Sequence, residues 1–344
     1  MKLAFFVLAF FALLDVARAE PLSGADVSAI ASDGESLFVG TFDQGLFVVR
    51  GNSVRGVDFG VNPNINALAW DGSALWVATA RGVSRCQSQR DVLACRRVGQ
   101  SVSMHALAMT SGGQVVAGGE RGLVVFDASG ADAREFGAKQ RLPFRGVWSL
   151  AEADGVLYVG TTSGLYWAPT RALLRALDAA PLFERASLVG GQLPDDWVTA
   201  LLASRGELFV GTYNAGLATF RIDGARLVPA ANDASLGYVN AAGITRLADG
   251  RVAVATMDGL RIGAPGSFVS VPTRGRDVIS AGLVLGRDSA RARTKAARAL
   301  SRAELTASRQ NARATLECCA PAPAPWRGAR TRALPRRRAR RRAS

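Results

Sequence analysis

One histidine, His105, is the chain's whole supply of imidazole. A site built from several histidines around a metal is therefore excluded, and a Ser-His-Asp triad would have to form around this one residue. Its place beside Met104, at the entrance to a strand, reads first as structural hydrogen bonding and only second as chemistry. Glycine is plentiful, yet no GxGxxG or GxxxxGKS/T phosphate loop stands between a strand and a helix. Beyond the first residues no run of 18 apolar residues occurs, so the remainder offers no helical membrane span. Nothing in these patterns calls for a cofactor. A carboxylate-only lyase or glycosidase stays open, since paired acids do that work without histidine, but Asp195 and Asp196 are adjacent and no spacing singles out a pair.

Residues 1–19 read as a secretory signal: Lys2, an apolar run over 3–14, and Ala17-Arg18-Ala19 as a small-x-small cleavage site. Export to the periplasm or outside the cell is the expectation, with no membrane anchor once the signal is removed. The net charge of +14 suggests nucleic acid, but its distribution does not. Residues 287–344 carry 17 Lys or Arg against 3 Asp or Glu; subtracting these from 42 and 28 leaves 25 against 25 for residues 1–286. No nucleic-acid partner is expected for that neutral body. The Ala- and Arg-rich tail, 286–344, has two readings: a polybasic extension that contacts anionic surfaces, or out-of-frame sequence replacing a lost repeat.

What the chain has is one phrase, six times over. Apolar residues end in Gly-Thr or Ala-Thr, and a short polar spacer leads to Gly-Leu or Gly-Val. Examples are Phe38-Val39-Gly40-Thr41 with Gly45-Leu46, Tyr158-Val159-Gly160-Thr161 with Gly164-Leu165, and Phe209-Val210-Gly211-Thr212 with Gly216-Leu217. Asp-Gly pairs at Asp33, Asp71, Asp154 and Asp249 mark the preceding turns. The period of about 40 residues is that of a four-stranded propeller blade. The predicted fold is an all-β propeller over residues 20–285, with six recognisable repeats. Asp277-Val278-Ile279-Ser280-Ala281 opens a seventh that is not completed. Residues 169–189 form an insertion, with a short helix beginning near Thr170 and placing Leu173, Leu174 and Leu177 on one face.

These residues resemble the two-component regulator propeller repeat, as does Gly191-Gln192-Leu193-Pro194 leading into the next inner strand. The resemblance implies extracytoplasmic ligand sensing. It departs from that family's usual layout in showing neither a later membrane span nor a kinase.

In such a meander the fourth-to-first and second-to-third connections share one rim, the natural place for a ligand. The rim candidates are Asn64, His105, Arg145, Trp148, Asp196, Trp197, Tyr213, Asn214, Tyr238 and Asn240. Aromatic rings beside amides, carboxylates and Arg suit a small polar ligand, a glycan or a protein partner, and each also reads as an ordinary solvated loop residue. A purely structural interaction scaffold is the third class. Cys86 and Cys95 fall on the two outer strands of the second repeat, where a reversal near Arg90-Asp91 sets them opposite each other as a disulfide.

Overall fold

The computed structural model describes Leu22 and residues 26–51, 53–58, 64–89, 92–137, 142–144, 146–175, 183–247 and 249–271. The signal segment, the opening of the seventh repeat, the basic tail and Arg145 lie outside these residues.

Each repeat is one antiparallel four-stranded sheet, and in all six the strands are joined in simple sequence order. Blade one holds β1 (Val27–Ser32), β2 (Leu37–Thr41), β3 (Leu46–Arg50) and β4 (Ser53–Val57). Blade two holds β5 (Ile65–Trp70), β6 (Leu75–Thr79), β7 (Gly82–Gln89) and β8 (Val92–Val98). Blade three comprises β9 (Met104–Met109), β10 (Val115–Gly119), β11 (Gly122–Phe126) and β12 (Ala133–Phe136). Blade four comprises β13 (Val147–Ala153), β14 (Val156–Thr161), β15 (Gly164–Pro169) and β16 (Glu184–Ala186). Blade five runs through β17 (Val198–Ser204), β18 (Glu207–Thr212), β19 (Leu217–Asp223) and β20 (Arg226–Asp233). Blade six runs through β21 (Val239–Arg246), β22 (Val252–Thr256), β23 (Gly259–Gly263) and β24 (Val269–Val271).

The second strand of most blades is buried along its whole length, as in β2, β6, β10, β14 and β22. Alternating side chains point to opposite faces, so one strand serves two interfaces. Blade two sends Leu75, Val77 and Cys86 into the layer shared with blade one, and Trp76 and Ala78 into the layer shared with blade three. A lone blade would expose both layers; stacking them is what makes the sheets stable.

The recurring phrase has a bond-by-bond explanation. Buried Thr41, Thr79, Thr161, Thr212 and Thr256 each donate a hydroxyl to the carbonyl of the following motif glycine, at 2.8–3.1 Å, while accepting an N–H from the intervening turn. One side chain thus closes the second-to-third turn in five of the six blades; blade three carries Gly119 at this position. The glycine before the threonine answers a different need: a Cβ on Gly40 would lie 2.5 Å from Ile65 Cγ2 of the next blade. At the turn itself Gly164 has φ +121, and a Cβ there would lie 2.5 Å from the Ala186 carbonyl oxygen.

The Cys86–Cys95 disulfide forms as the pattern requires, with the two residues paired across β7 and β8. The insertion after β15 opens with helix α1 (Thr170–Arg175), which buries Leu173 and partly buries Leu174 against blades three and four. Leu177 lies outside the described residues. Among the described residues no helix is long and apolar enough to cross a membrane.

Candidate functional site

The register puts the start of every inner strand on the same rim as the end of the second strand: Val27 faces Thr41, Ile65 faces Thr79, Met104 faces Gly119, Val147 faces Thr161, Val198 faces Thr212 and Val239 faces Thr256. One residue later each inner strand breaks register, so that one or more residues are pushed out of the ladder. The residues at that position are Ser28, Asn66, His105, Trp148, Thr199 and Asn240. A bulge re-aims a side chain, and in blades three and four the side chains re-aimed are rings.

His105 stacks on Trp148 with centroids 4.7 Å apart and planes 11° from parallel. Trp148 meets Trp197 at 5.9 Å, Trp197 stacks on Tyr213 at 4.3 Å, and Tyr213 meets Tyr238 edge-on at 5.0 Å. The five rings form a continuous arc over blades three to six. All five are half-buried. Burial lowers the pKa of His105, and the nearby Glu120 carboxylate only partly opposes this.

At the His105 end a cavity of about 470 Å³ opens between blades three and four, lined by Glu120, Leu142, Pro143, Phe144, Thr162 and Ser163. Gly146 also lines it, and a Cβ there would lie 3.8 Å from both Trp148 Nε1 and Thr162 Oγ1. Arg185 lies over the Tyr166 ring and donates to the Ser163 carbonyl at 2.7 Å, anchoring the second-to-third turn of blade four. The site therefore pairs a run of flat apolar faces with a polar-edged recess.

At the other end the acidic loop residues hold the backbone. Asp195 accepts the N–H groups of Trp197 and Asn214, tying the loop entering blade five to that blade's second-to-third turn. Asp196 turns away and accepts the N–H of Leu188. The two carboxylates serve different loops and do not converge on one substrate position. Asn214 is exposed beside the arc. Asn64 is half-buried at the entrance to blade two. Asn240 is 5% exposed and so lies beneath the rim surface.

No family model matches the sequence, and no curated protein matches it. Solved structures do. The extracellular domain of BT4673 from B. thetaiotaomicron, named a one component system, superposes with a TM-score of 0.60 at 17% identity, covering 76% of this chain and 36% of that one. The extracellular domain of the hybrid two component system BT3049 from the same organism gives 0.58 at 18%, covering 75% and 36%. The shared fold is the β-propeller. This chain spans about a third of the length of the structures it matches.

Within that fold, Glu120 is a second-to-third loop residue that the sequence already places on this rim; the residues of the recess that sequence reasoning missed are Phe144, Thr162 and Ser163. Their signal was positional, since Glu120, Thr162 and Ser163 occupy corresponding second-to-third turns of neighbouring blades.

Proposed function

We propose that the chain is an exported, non-catalytic binding module that takes a glycan on its aromatic rim. The unbroken arc from His105 through Trp148, Trp197 and Tyr213 to Tyr238 carries this reading. Sugar rings present flat C–H faces and hydroxyl edges. The arc offers stacking surface for the first, and Glu120, Thr162, Ser163 and Asn214 offer hydrogen-bonding groups for the second. A sensing role, as the names of the structurally similar extracellular domains suggest, requires a partner that reads the occupied rim.

A protein partner is favoured by one specific observation. The turn after β16 is tied by Gly191 N–H to the Leu188 carbonyl and by Gly190 N–H to Ser187 Oγ, yet it holds up Leu188 and Val189 at 52% and 95% exposure. Ordered apolar side chains displayed in this way suit a protein contact.

Intrinsic tryptophan fluorescence, titrated with a panel of oligosaccharides, tests the main reading. At least one glycan should shift the emission of the wild type, with affinity falling at least tenfold in Trp148→Ala and Trp197→Ala variants that keep the wild-type circular dichroism spectrum. Glycan affinity that survives both substitutions would remove the rim from consideration.

A further inference from the structure

The carboxylates of the rim are engaged unequally. Asp195 and Asp196 accept backbone N–H groups, and Asp43 accepts the Asp26 N–H and the Gln44 side-chain amide. The exposed carboxylate of Glu120 makes no hydrogen bond and no ion pair among the described residues. Its charge is felt by the ring of His105, where burial works against a positive charge.

The backbone fixes Glu120 where the arc meets the recess. Gly119, just before it, pairs with Met104, just before His105; the Glu120 carbonyl accepts the Gly146 N–H at 3.3 Å, two residues ahead of Trp148. Glu120 therefore stands between the entrances to the two strands that carry the stacked His105 and Trp148 rings. Beside it the recess has an apolar side in Leu142, Pro143 and Phe144, and a hydroxyl side in Thr162 and Ser163. Phe144 is a rigid part of that lining, with Tyr166 at 4.9 Å and Phe183 at 5.0 Å. Arg185 is committed to the Ser163 carbonyl and the Tyr166 ring. A carboxylate in a cleft with low-dielectric walls concentrates its field there and attracts a cation more strongly than one on open surface.

Resting on the glycan reading of the rim, we propose that Glu120 selects sugars carrying a free amino group. Its carboxylate pairs with the protonated amine of an amino sugar seated in the recess, while the neighbouring sugar stacks on the arc at His105 and Trp148. The volume of about 470 Å³ lies within the range of small-molecule sites. Thr162 and Ser163 supply hydroxyl partners for the same sugar. An N-acetylated sugar keeps the ring and loses the charge, and a neutral sugar leaves the carboxylate unpaired.

Tryptophan-fluorescence titrations of the full mature chain test this with three series of equal length: glucosamine oligomers, their N-acetylated counterparts and glucose oligomers. They are run at about pH 6, between the ordinary ranges of a Glu carboxyl and an aliphatic amine. The glucosamine series should bind at least tenfold tighter than the other two. Glu120→Gln should erase that preference and leave the affinity for glucose oligomers within about twofold. Asp258→Asn, which removes a rim carboxylate of blade six, should leave the preference intact. Binding of all three series without preference overturns the proposal and leaves the glycan reading standing. A preference that survives Glu120→Gln, or falls equally in Asp258→Asn, also overturns it, because the rim's charge as a whole would then be the cause. Binding by none of the three overturns it as well, and the wider oligosaccharide panel then decides the glycan reading itself.

Discussion

Trp197 and Tyr213 lie face to face, 4.3 Å apart, because the backbone beneath them is cross-tied. The Tyr213 N–H donates to the Trp197 carbonyl at 3.0 Å, and the Asp195 carboxylate spans the same two loops. The stack is thus preorganised before any ligand arrives, and preorganised rings lose little conformational entropy on binding.

Asp195→Ala should therefore weaken the rim through its support. Two charge-assisted hydrogen bonds to backbone N–H groups are removed, and the expected loss in stability is about 2 kcal/mol by urea denaturation. Affinity for any rim ligand should drop with it, whereas Asp196→Ala, which releases only the Leu188 turn, should leave that affinity within about twofold. Equal effects of the two substitutions would show that Asp195 does not set the stack.

The glycine ahead of the motif threonine makes a sharper stability test. A Cβ on Gly211 would lie 2.5 Å from Val239 Cγ1 of the next blade. Gly211→Ala should cost roughly 2 kcal/mol, a typical penalty for overpacking. Adding Val239→Ala should give back part of that loss, although alone it is also destabilising. Purely additive losses would mean that the glycine answers to backbone conformation and not to the neighbouring blade.

Much of this was legible from residues alone. The Gly-Thr and Gly-Leu phrase encodes a turn closed by a hydroxyl and an interface closed by a missing side chain, both local enough to repeat in sequence. Cys86 and Cys95 were readable because a hairpin's register follows from its midpoint. The arc was not. His105 and Trp148 sit on bulges, Trp197 precedes its strand and Tyr213 follows a motif threonine, so only the order of blades in space makes them one row. Asn240 shows the converse: it shares the bulge position with Trp148, but its short amide lies buried where the indole reaches the rim. Blade six also spends four residues, Asn240-Ala241-Ala242-Gly243, between Val239 and Ile244, with Ala242 at φ +52, an irregularity no motif announced.

Reducing the Cys86–Cys95 bridge frees a hairpin with a sequence separation of nine. Loop-closure reasoning assigns such a bridge about 2.5 kcal/mol. The unfolding free energy of the mature protein from urea denaturation should fall by that amount in reductant, lowering the midpoint in proportion, and Cys86→Ala with Cys95→Ala should show a similar loss and no further response to reductant. A midpoint unmoved by reductant would mean that cross-strand packing alone holds the outer strands together.

Asp26 sets a pH dependence of unusual sign. It is buried at the entrance to β1, its Oδ1 has no hydrogen-bond partner, and its N–H donates to Asp43. Burial, aided by the nearby Asp43 charge, pushes its carboxyl up to about 6. The folded state therefore holds this proton more tightly than the unfolded chain does. Stability from this group is fully present below the ordinary carboxylate range and is lost as pH rises toward 6. Asp26→Asn removes the ionisation while leaving both backbone contacts, Asp26 N–H to Asp43 and Phe42 N–H to the Asp26 carbonyl, in place. A shift of this size would be worth up to roughly 3 kcal/mol in isolation; with solvent screening at the rim the expected gain at pH 7.5 is about 1 kcal/mol, most of it gone by pH 4. Thermal denaturation of wild type and variant across that range reads it directly. An Asn variant that gains nothing at pH 7.5, or gains equally at pH 4, would show that Asp26 is ionised and accommodated in the folded protein at neutral pH.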